Sequence, residues 1–587
     1  MRKQYTWRSF SLAILYALIG LSIIVHIVRI QNSPEAEVFR KQGDRYAGEF
    51  RTVYPARGEI YDRDGYLLAG NKTVYEIGVD LQAVRDAQTI ALAISSNLGL
   101  DYNEVYQNIA QPPSEDRIYV VLADFVPAEK AAALQQYKIE LANRPVESQT
   151  ANRPSLAGLE FKAHLQRSYP EDALASNVLG FVNREGQGFF GVEEHYDDLL
   201  AGSAVTVWFP EDPNRVEERP QVPNGTTLIL TLDRELQTSV EQILDQALAN
   251  NGARSGSIIV MDAHNGEILA MASTPRLDLN EFWYYDQIYN NASEFNRAIS
   301  MPYEPGSVFK VLTMAAALDS GAVLPSTQFL DTGIVLIGGA YIQNWNQEAW
   351  GLQDMTGCLQ YSLNVCMASL ALQMGPQTFY QYLQRFGIGH PTGVDLAGEA
   401  AGRLKVPGDA DWYPVDLGTN AFGQGVATTP VQMMMAASAI ANQGKMVTPH
   451  LLYAMVKNGQ QYNTPPSFAG TPVSAETARA LNEMLVVSLE REASLALVNG
   501  YRVAGKTGTA QIPTPYGLYA SDVTNTSFIG WGPADEPRFM VYVWLEEPSS
   551  SIWGSETAAP VFAQVVEKAV VLLDIPPDYI RQQLAAR

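Results

Sequence analysis

The chain has 587 residues, 47% hydrophobic and 18% charged, with 40 basic against 63 acidic side chains and a net charge of −23. That apolar content excludes a disordered chain, and the acidity excludes nucleic-acid binding led by phosphate contacts. A mean hydropathy of −0.09 excludes a polytopic membrane protein, and two cysteines exclude a disulfide scaffold.

The first element is Ser9 to Val28, which holds no formal charge and only His26 near its end. At about 1.5 Å per residue it spans about 30 Å, one bilayer core. Arg2, Lys3 and Arg8 precede it, whereas the flank after it mixes Arg29, Arg40 and Lys41 with Glu35 and Glu37. The positive-inside rule then puts the N-terminus in the cytoplasm. A cleaved signal peptide needs a small-x-small site, which Ile30-Gln31-Asn32-Ser33-Pro34 does not supply. The expectation is an uncleaved single-pass anchor in a cell membrane, with the rest of the chain extracytoplasmic.

Residues 31–50 read as a polar linker. Residues 51–80 read as extended, with Thr73 to Val79 rich in β-formers, and 81–145 carry helical patterns of Ala, Leu and Gln. Pro210, Pro213, Pro220 and Pro223 mark a boundary within 205–225. Three pieces follow: 1–31, 32–222 and 223–587.

Beyond the boundary, Asp233 to Asn250 predicts an amphipathic helix with Leu236, Val240, Ile243, Leu244 and Leu248 on one face. Strands are expected at Ser255–Met261 and Glu267–Ser273, joined at His264-Asn265-Gly266, a hairpin signal. A largely helical region covers about 307–490. Strands follow at Tyr501–Gln511, Thr526–Trp531 and Arg538–Leu545, then a helix from Pro560 to Leu573. The sum is an α+β fold. Its core is a five-stranded antiparallel sheet, two strands early and three late, with helices on both faces and a helical insertion.

Two motifs are false leads. Gly500 to Thr507 matches the P-loop pattern, but a P-loop must open a helix, and Lys506-Thr507 runs into a β-branched stretch with Pro513 and Pro515. Gly186 to Gly191 matches Gly-x-Gly-x-x-Gly without the preceding apolar strand, so it reads as a turn. The six histidines are scattered and form no HxH or HExxH pair, so no metal site and no cofactor are expected.

Chemistry concentrates at Glu304-Pro305-Gly306-Ser307-Val308-Phe309-Lys310. Pro305-Gly306 breaks the chain, and Ser307 can begin a helix to about Asp319. Ser307 and Lys310 are i,i+3 and share one face. The helix is apolar nearly all round, so Lys310 is expected to be desolvated, its pKa lowered and its amine a usable base. Alone, Ser-x-x-Lys also fits a capped helix start with an exposed lysine. It is followed, however, by Ser362-Leu363-Asn364 and then by Lys506-Thr507-Gly508-Thr509 on the third strand. SxxK, SxN and KTG in that order are the constellation of penicillin-binding proteins and serine β-lactamases.

The wider contexts extend the match. Arg57-Gly58-Glu59-Ile60-Tyr61-Asp62-Arg63-Asp64-Gly65, Arg167-Ser168-Tyr169-Pro170, Gly186 to Tyr196 and Leu200-Ala201-Gly202 resemble the pedestal segments of class B penicillin-binding proteins. Gly266 to Ser273, Phe386 to Gly389 with Thr392 to Leu396, and Phe422 to Gly425 with Thr429-Pro430 resemble segments of their transpeptidase domain. The resemblance covers most of the chain after residue 50. It implies a peptidoglycan D,D-transpeptidase acting on stem peptides of lipid II-derived glycan, and covalent inhibition by β-lactams.

By the same resemblance, Ser307 is the nucleophile, Lys310 its base and Ser362 a proton relay, while Asn364 binds substrate and holds Lys310. Lys506, Thr507 and Thr509 bind the terminal carboxylate, and Gly508 leaves room for substrate along the strand. Residues 32–222 become a dimerisation-like pedestal expected to dock a membrane-embedded glycan polymerase, and 223–587 the transpeptidase domain. Too little chain precedes Arg57 for a glycosyltransferase domain. The alternatives are a D,D-carboxypeptidase or β-lactamase-type hydrolase, and a non-catalytic β-lactam sensor. The family often has Gly-Gly before its last helix, and here Gly554 is followed by Ser555. Cys358 and Cys366 bracket the SxN motif as either two small buried residues or a disulfide.

Overall fold

The computed structural model describes residues 6–33, 48–114, 117–144, 153–210, 222–492, 494–513 and 519–586. Most of the linker read over 31–50 and of the proline-marked boundary over 205–225 lies outside the described residues. The chain divides into two compact units, Met1–Ala56 with Gly202–Asn224, and Arg57–Ala201 with Gly225–Arg587.

The first unit contains the helix Thr6–Gln31. Its Trp7–Gln31 stretch has a hydropathy of 2.4 and is long and apolar enough to cross a membrane. Gly48–Val53 and Val205–Pro210 pair antiparallel in the same unit.

In the second unit the extended reading of 51–80 becomes the long strand Leu67–Asp80, flanked by Tyr119–Pro127 and Leu159–Ser168. The helices Ala87–Leu98, Tyr102–Ala110 and Ala128–Asn143 cover it around Ile77, Val79, Ile90, Ile94 and Leu134. Asp86 and Asp101 accept the orphan amides that start the first two helices. The sheet continues through Ile60–Tyr61 to Thr227–Leu230, Leu452–Lys457 and Gln460–Asn463. Beside it, Arg57 Nε and Arg167 Nε donate to the two oxygens of Glu193 at 2.7 and 2.6 Å, and Arg57 Nη1 meets Asp197 at 2.7 Å. This network ties together three of the segments singled out in the sequence.

The second sheet carries the motifs. The helix α1 (Arg234–Asn251) starts where Asp233 caps the Leu236 amide. Strands β1 (Ser255–Met261) and β2 (Ile268–Ser273) follow, turning at Gly266, whose φ of +84° suits glycine. Helices α2 (Lys310–Asp319), α3 (Asn364–Arg385) and α4 (Ala475–Glu492) belong to the insertion. Then come β3 (Ala504–Pro513), β4 (Tyr519–Gly532), β5 (Phe539–Glu546) and the helix α5 (Ala558–Leu572). The order is β2-β1-β5-β4-β3, antiparallel throughout, with β3 at the edge.

Alternation assigns the faces. Val541, Val543 and Leu545 of β5 pack with α1 and α5, whereas Met540, Tyr542 and Trp544 pack with the helical insertion. Every residue of β5 is buried because both faces are covered, so its sequence reads as an apolar run.

The insertion is less helical than expected. It contains the antiparallel pairs Phe329–Asp331 with Gly351–Gln353 and Ile334–Ile337 with Ala340–Gln343, and the strand Leu452–Lys457 leaves it for the first sheet. β4 is also longer than the Thr526–Trp531 read from the sequence. The P-loop-like segment runs into β3 rather than a helix, and residues 183–187 of the Gly-x-Gly-x-x-Gly region turn between Phe181–Val182 and Gly188–Phe189.

Candidate active site

Pro305 and Gly306 set the nucleophile's position. Gly306 has φ +59°, a single 3₁₀ turn covers Gly306–Phe309, and α2 continues from Lys310. Ser307, read from the sequence as the helix start, therefore sits on a tight turn three residues before the α-helix begins at Lys310. A Cβ at Gly306 would lie 2.7 Å from Thr509 O, and one at Gly508 would lie 3.0 Å from Val308 Cγ1. The absence of both side chains lets β3 lie directly against the nucleophile's turn. Gly306 N–H donates to Gly423 O at 3.0 Å, and Glu304 Oε1 accepts Gly425 N–H at 2.9 Å. The Phe422–Gly425 segment thus braces the turn from behind.

Lys310 is 0% exposed. Its Nζ donates to Ser362 O at 2.6 Å, to Asn364 Oδ1 at 2.7 Å and to Ser362 Oγ at 3.0 Å. No carboxylate is among these hydrogen-bond partners. Burial, with the nearby Lys506 charge, holds the Lys310 pKa well below the ordinary lysine value. The Ser362 hydroxyl is the one partner of the three that can also donate, so it can exchange a proton with a neutral amine. Ser362 itself has φ +52°, an uncommon backbone conformation for a serine. It is held by the Ser362 N–H bond to Leu359 O at 3.1 Å and by the neighbouring Leu363 N–H bond to Cys358 O at 3.0 Å.

Cys358 and Cys366 are joined in a disulfide with Cα atoms 6.1 Å apart, which resolves the two readings in favour of the bond. It closes the loop that carries Ser362 and Asn364. Asn364 Nδ2 donates to Gln343 O at 3.1 Å, so the small sheet of the insertion orients the amide toward Lys310.

Lys506 points to the same place from β3. It is 5% exposed, and burial lowers its pKa to about 8, with Glu492 pulling the other way. Its Nζ donates to Thr507 Oγ1 at 3.2 Å. Thr509 Oγ1 accepts Gly554 N–H at 3.1 Å. A Cβ at Gly554 would lie 2.1 Å from Gly508 O, whereas Ser555 is exposed. Only the first position of the Gly-Gly pair is sterically required, so Ser555 leaves this corner intact.

The structure brings the eight residues singled out from the sequence near one another: Lys310 bonds Ser362 and Asn364, the Lys506 charge acts on Lys310, Thr507 bonds Lys506, and Gly508 and Thr509 lie against the turn that carries Ser307. Sequence reading missed the bracing role of Gly423 and Gly425, and the pair Trp345–Trp553. These two rings come from distant segments and meet with centroids 5.1 Å apart. Trp345 Nε1 also donates to Tyr361 O at 3.2 Å, beside Ser362. Lone tryptophans carry no spacing signal that could have flagged them. Among the described residues, no group of three His, Cys, Asp or Glu side chains is placed to hold a metal.

Comparison with known proteins agrees with this geometry. Residues 256–567 match the penicillin binding protein transpeptidase domain, and residues 52–208 match the penicillin-binding protein dimerisation domain. The chain is 32% identical over 537 residues to the stage V sporulation protein D of Bacillus subtilis, covering 89% of this chain and 79% of that protein. It is 28% identical to the peptidoglycan D,D-transpeptidase FtsI of Escherichia coli K12, covering 98% and 93% of the two chains. A crystal structure of penicillin binding protein 3 from Mycobacterium tuberculosis, complexed with aztreonam, superposes with a TM-score of 0.68. It is 27% identical, covering 90% of this chain and 98% of that one.

Proposed function

The chain belongs to the penicillin-binding protein transpeptidase family, and from that premise we propose that it cross-links peptidoglycan stem peptides through an acyl-enzyme on Ser307. Ser307 Oγ attacks the carbonyl of the penultimate D-Ala while its proton passes to Lys310 Nζ. Backbone N–H groups of Ser307 and Thr509 stabilise the developing oxyanion. The proton moves through Ser362 Oγ to the leaving amine, and D-Ala departs. An amine of a neighbouring stem then attacks the ester, its proton returns through Lys310, and Ser307 is regenerated. Lys506, Thr507 and Thr509 hold the terminal carboxylate, and Asn364 holds both Lys310 and the donor backbone.

The observation that carries this reading is the fully buried Lys310, held by Ser362 and Asn364. Burial holds the pKa of that lysine well below the ordinary value, so it gives up its own proton more readily and can accept that of the serine. β-Lactams acylate the same serine. The named family and the relative titled as a D,D-transpeptidase support cross-linking over hydrolysis, and the chain lacks the ExxLN deacylation motif of the hydrolytic enzymes.

Residues 1–31 act as a single-pass anchor with a cytoplasmic N-terminus. Residues 32–222 form the pedestal, which docks a membrane-embedded glycan polymerase, and 223–587 form the extracytoplasmic catalytic domain. Labelling with a fluorescent penicillin tests the core of the reading. Wild type is expected to label and Ser307→Ala to remain dark, whereas a labelled Ser307→Ala overturns the nucleophile assignment.

A further inference from the structure

Past the contact of Gly306 with Thr509, β3 and the segment leading to Ser307 diverge around a cleft of about 250 Å³. Glu304, Gln511, Ile512 and Asn525 line it, with Arg254, Trp544 and the pair Glu546-Glu547. Glu546 is already engaged by Arg254, Ser255 and Arg297, and Arg254 Nη1 also lies 3.6 Å from Glu547. Glu546 is thus offset by Arg254 and Arg297, and Glu547, with Arg254 at 3.6 Å, is the less closely paired carboxylate of this wall. Two polar atoms of this wall have no hydrogen-bond partner, the Trp544 Nε1 donor and the Asn525 Oδ1 acceptor. Trp544 is 1% exposed. A buried donor without a partner costs stability unless a ligand supplies the acceptor.

Chain direction says what reaches this place. On the reading under Proposed function, the donor's carboxylate lies at Lys506 to Thr509 and its scissile carbonyl at Ser307. β3 is an edge strand, so a donor added antiparallel to it runs toward Gln511 and Ile512. At roughly 3.4 Å per residue, the residue before D-Ala-D-Ala arrives at the cleft. Donor and acceptor are stems of one kind, so the donor bears the same side-chain amine that the acceptor uses.

We propose that this cleft binds the side chain of the donor residue preceding D-Ala-D-Ala, a side chain ending in an amino-acid head group. Its ammonium lies at Glu547 and Asn525 Oδ1, and its carboxylate accepts from Trp544 Nε1. An ammonium held there has no lone pair, so the donor's own amine cannot attack its own acyl-enzyme. The proposal deepens the transpeptidase reading and depends on it.

The test compares D-Ala release by the full chain from Nα-acetyl-diaminopimelyl-D-Ala-D-Ala and from Nα-acetyl-norleucyl-D-Ala-D-Ala. Wild type is expected to prefer the first by about 10-fold or more in kcat/KM, the worth of a charged hydrogen bond or two. Glu547→Gln should bring the ratio below about 3-fold, and Trp544→Phe, which keeps an aromatic ring, should lower it about 3-fold. Reading a ratio within each variant cancels any general loss of activity. Equal rates in wild type, or an undiminished ratio in Glu547→Gln, overturn the proposal. Failure of the parent reading is distinguishable, because neither peptide would then release D-Ala and penicillin would not label Ser307.

Discussion

Two regions of the molecule bury cations, with opposite outcomes. Beside the first sheet, burial works against the Arg57 charge. The Glu193 and Asp197 carboxylates outweigh it and hold the pKa above the ordinary arginine value. Around Ser307, Lys310 is buried more deeply still and is hydrogen-bonded to a carbonyl, a hydroxyl and an amide, and its pKa falls. Desolvation is common to both regions, so the partner decides. A carboxylate makes a permanent ion pair and a structural tie. Neutral acceptors and a second lysine make a group able to take up and release a proton.

The largest expected effect comes from removing that group. Lys310→Ala should slow acylation by penicillin about 10²- to 10⁴-fold, read by stopped-flow or gel labelling, with the thermal transition retained. The matching break on the structural side is Glu193→Ala, which leaves the buried Arg167 guanidinium without a carboxylate and Arg57 with Asp197 alone. Denaturant unfolding should register a loss of about 3–5 kcal/mol.

The disulfide gives a smaller effect. Its loop is short, and a chain-entropy account gives a loss of about 2–3 kcal/mol for the Cys358→Ser, Cys366→Ser double variant. Smallest is a pH effect at Lys506. Its pKa is lowered to about 8 by burial, so its positive charge is present below that pH and lost above it. Acylation by carboxylate-bearing donors should decline as pH rises through about 8, and Lys506→Arg should move that decline out of range.

The motifs were legible because their chemistry is local. Ser307 and Lys310 lie three residues apart on one turn, and Lys506 to Thr509 lie on one strand, so order and spacing sufficed to name them. β1, β2 and β5 were legible as short apolar runs between turn signals. The pairs at 329–353 were not, because strands of three or four residues lose their period-two signal within a region of helical composition. Leu452–Lys457 forms a hairpin with Gln460–Asn463 across Asn458-Gly459, a local signal lost within a region of helical composition, and its other partner, Thr227–Leu230, is more than two hundred residues away. The spacing of Cys358 and Cys366 could not show whether their sulfurs meet, since that depends on the sharp return at Ser362.

The central claim is that the catalytic lysine is a base because no carboxylate faces it. Asn364→Asp supplies one where Asn364 Oδ1 now accepts from Nζ at 2.7 Å, converting the cleft toward the Arg57–Glu193 arrangement. The measurement is the pH profile of penicillin acylation for wild type and Asn364→Asp. The new charge raises the Lys310 pKa, so the acid limb should move to higher pH, with a deep loss near neutrality that recovers as pH rises. A uniform loss with the acid limb where wild type has it would contradict the account.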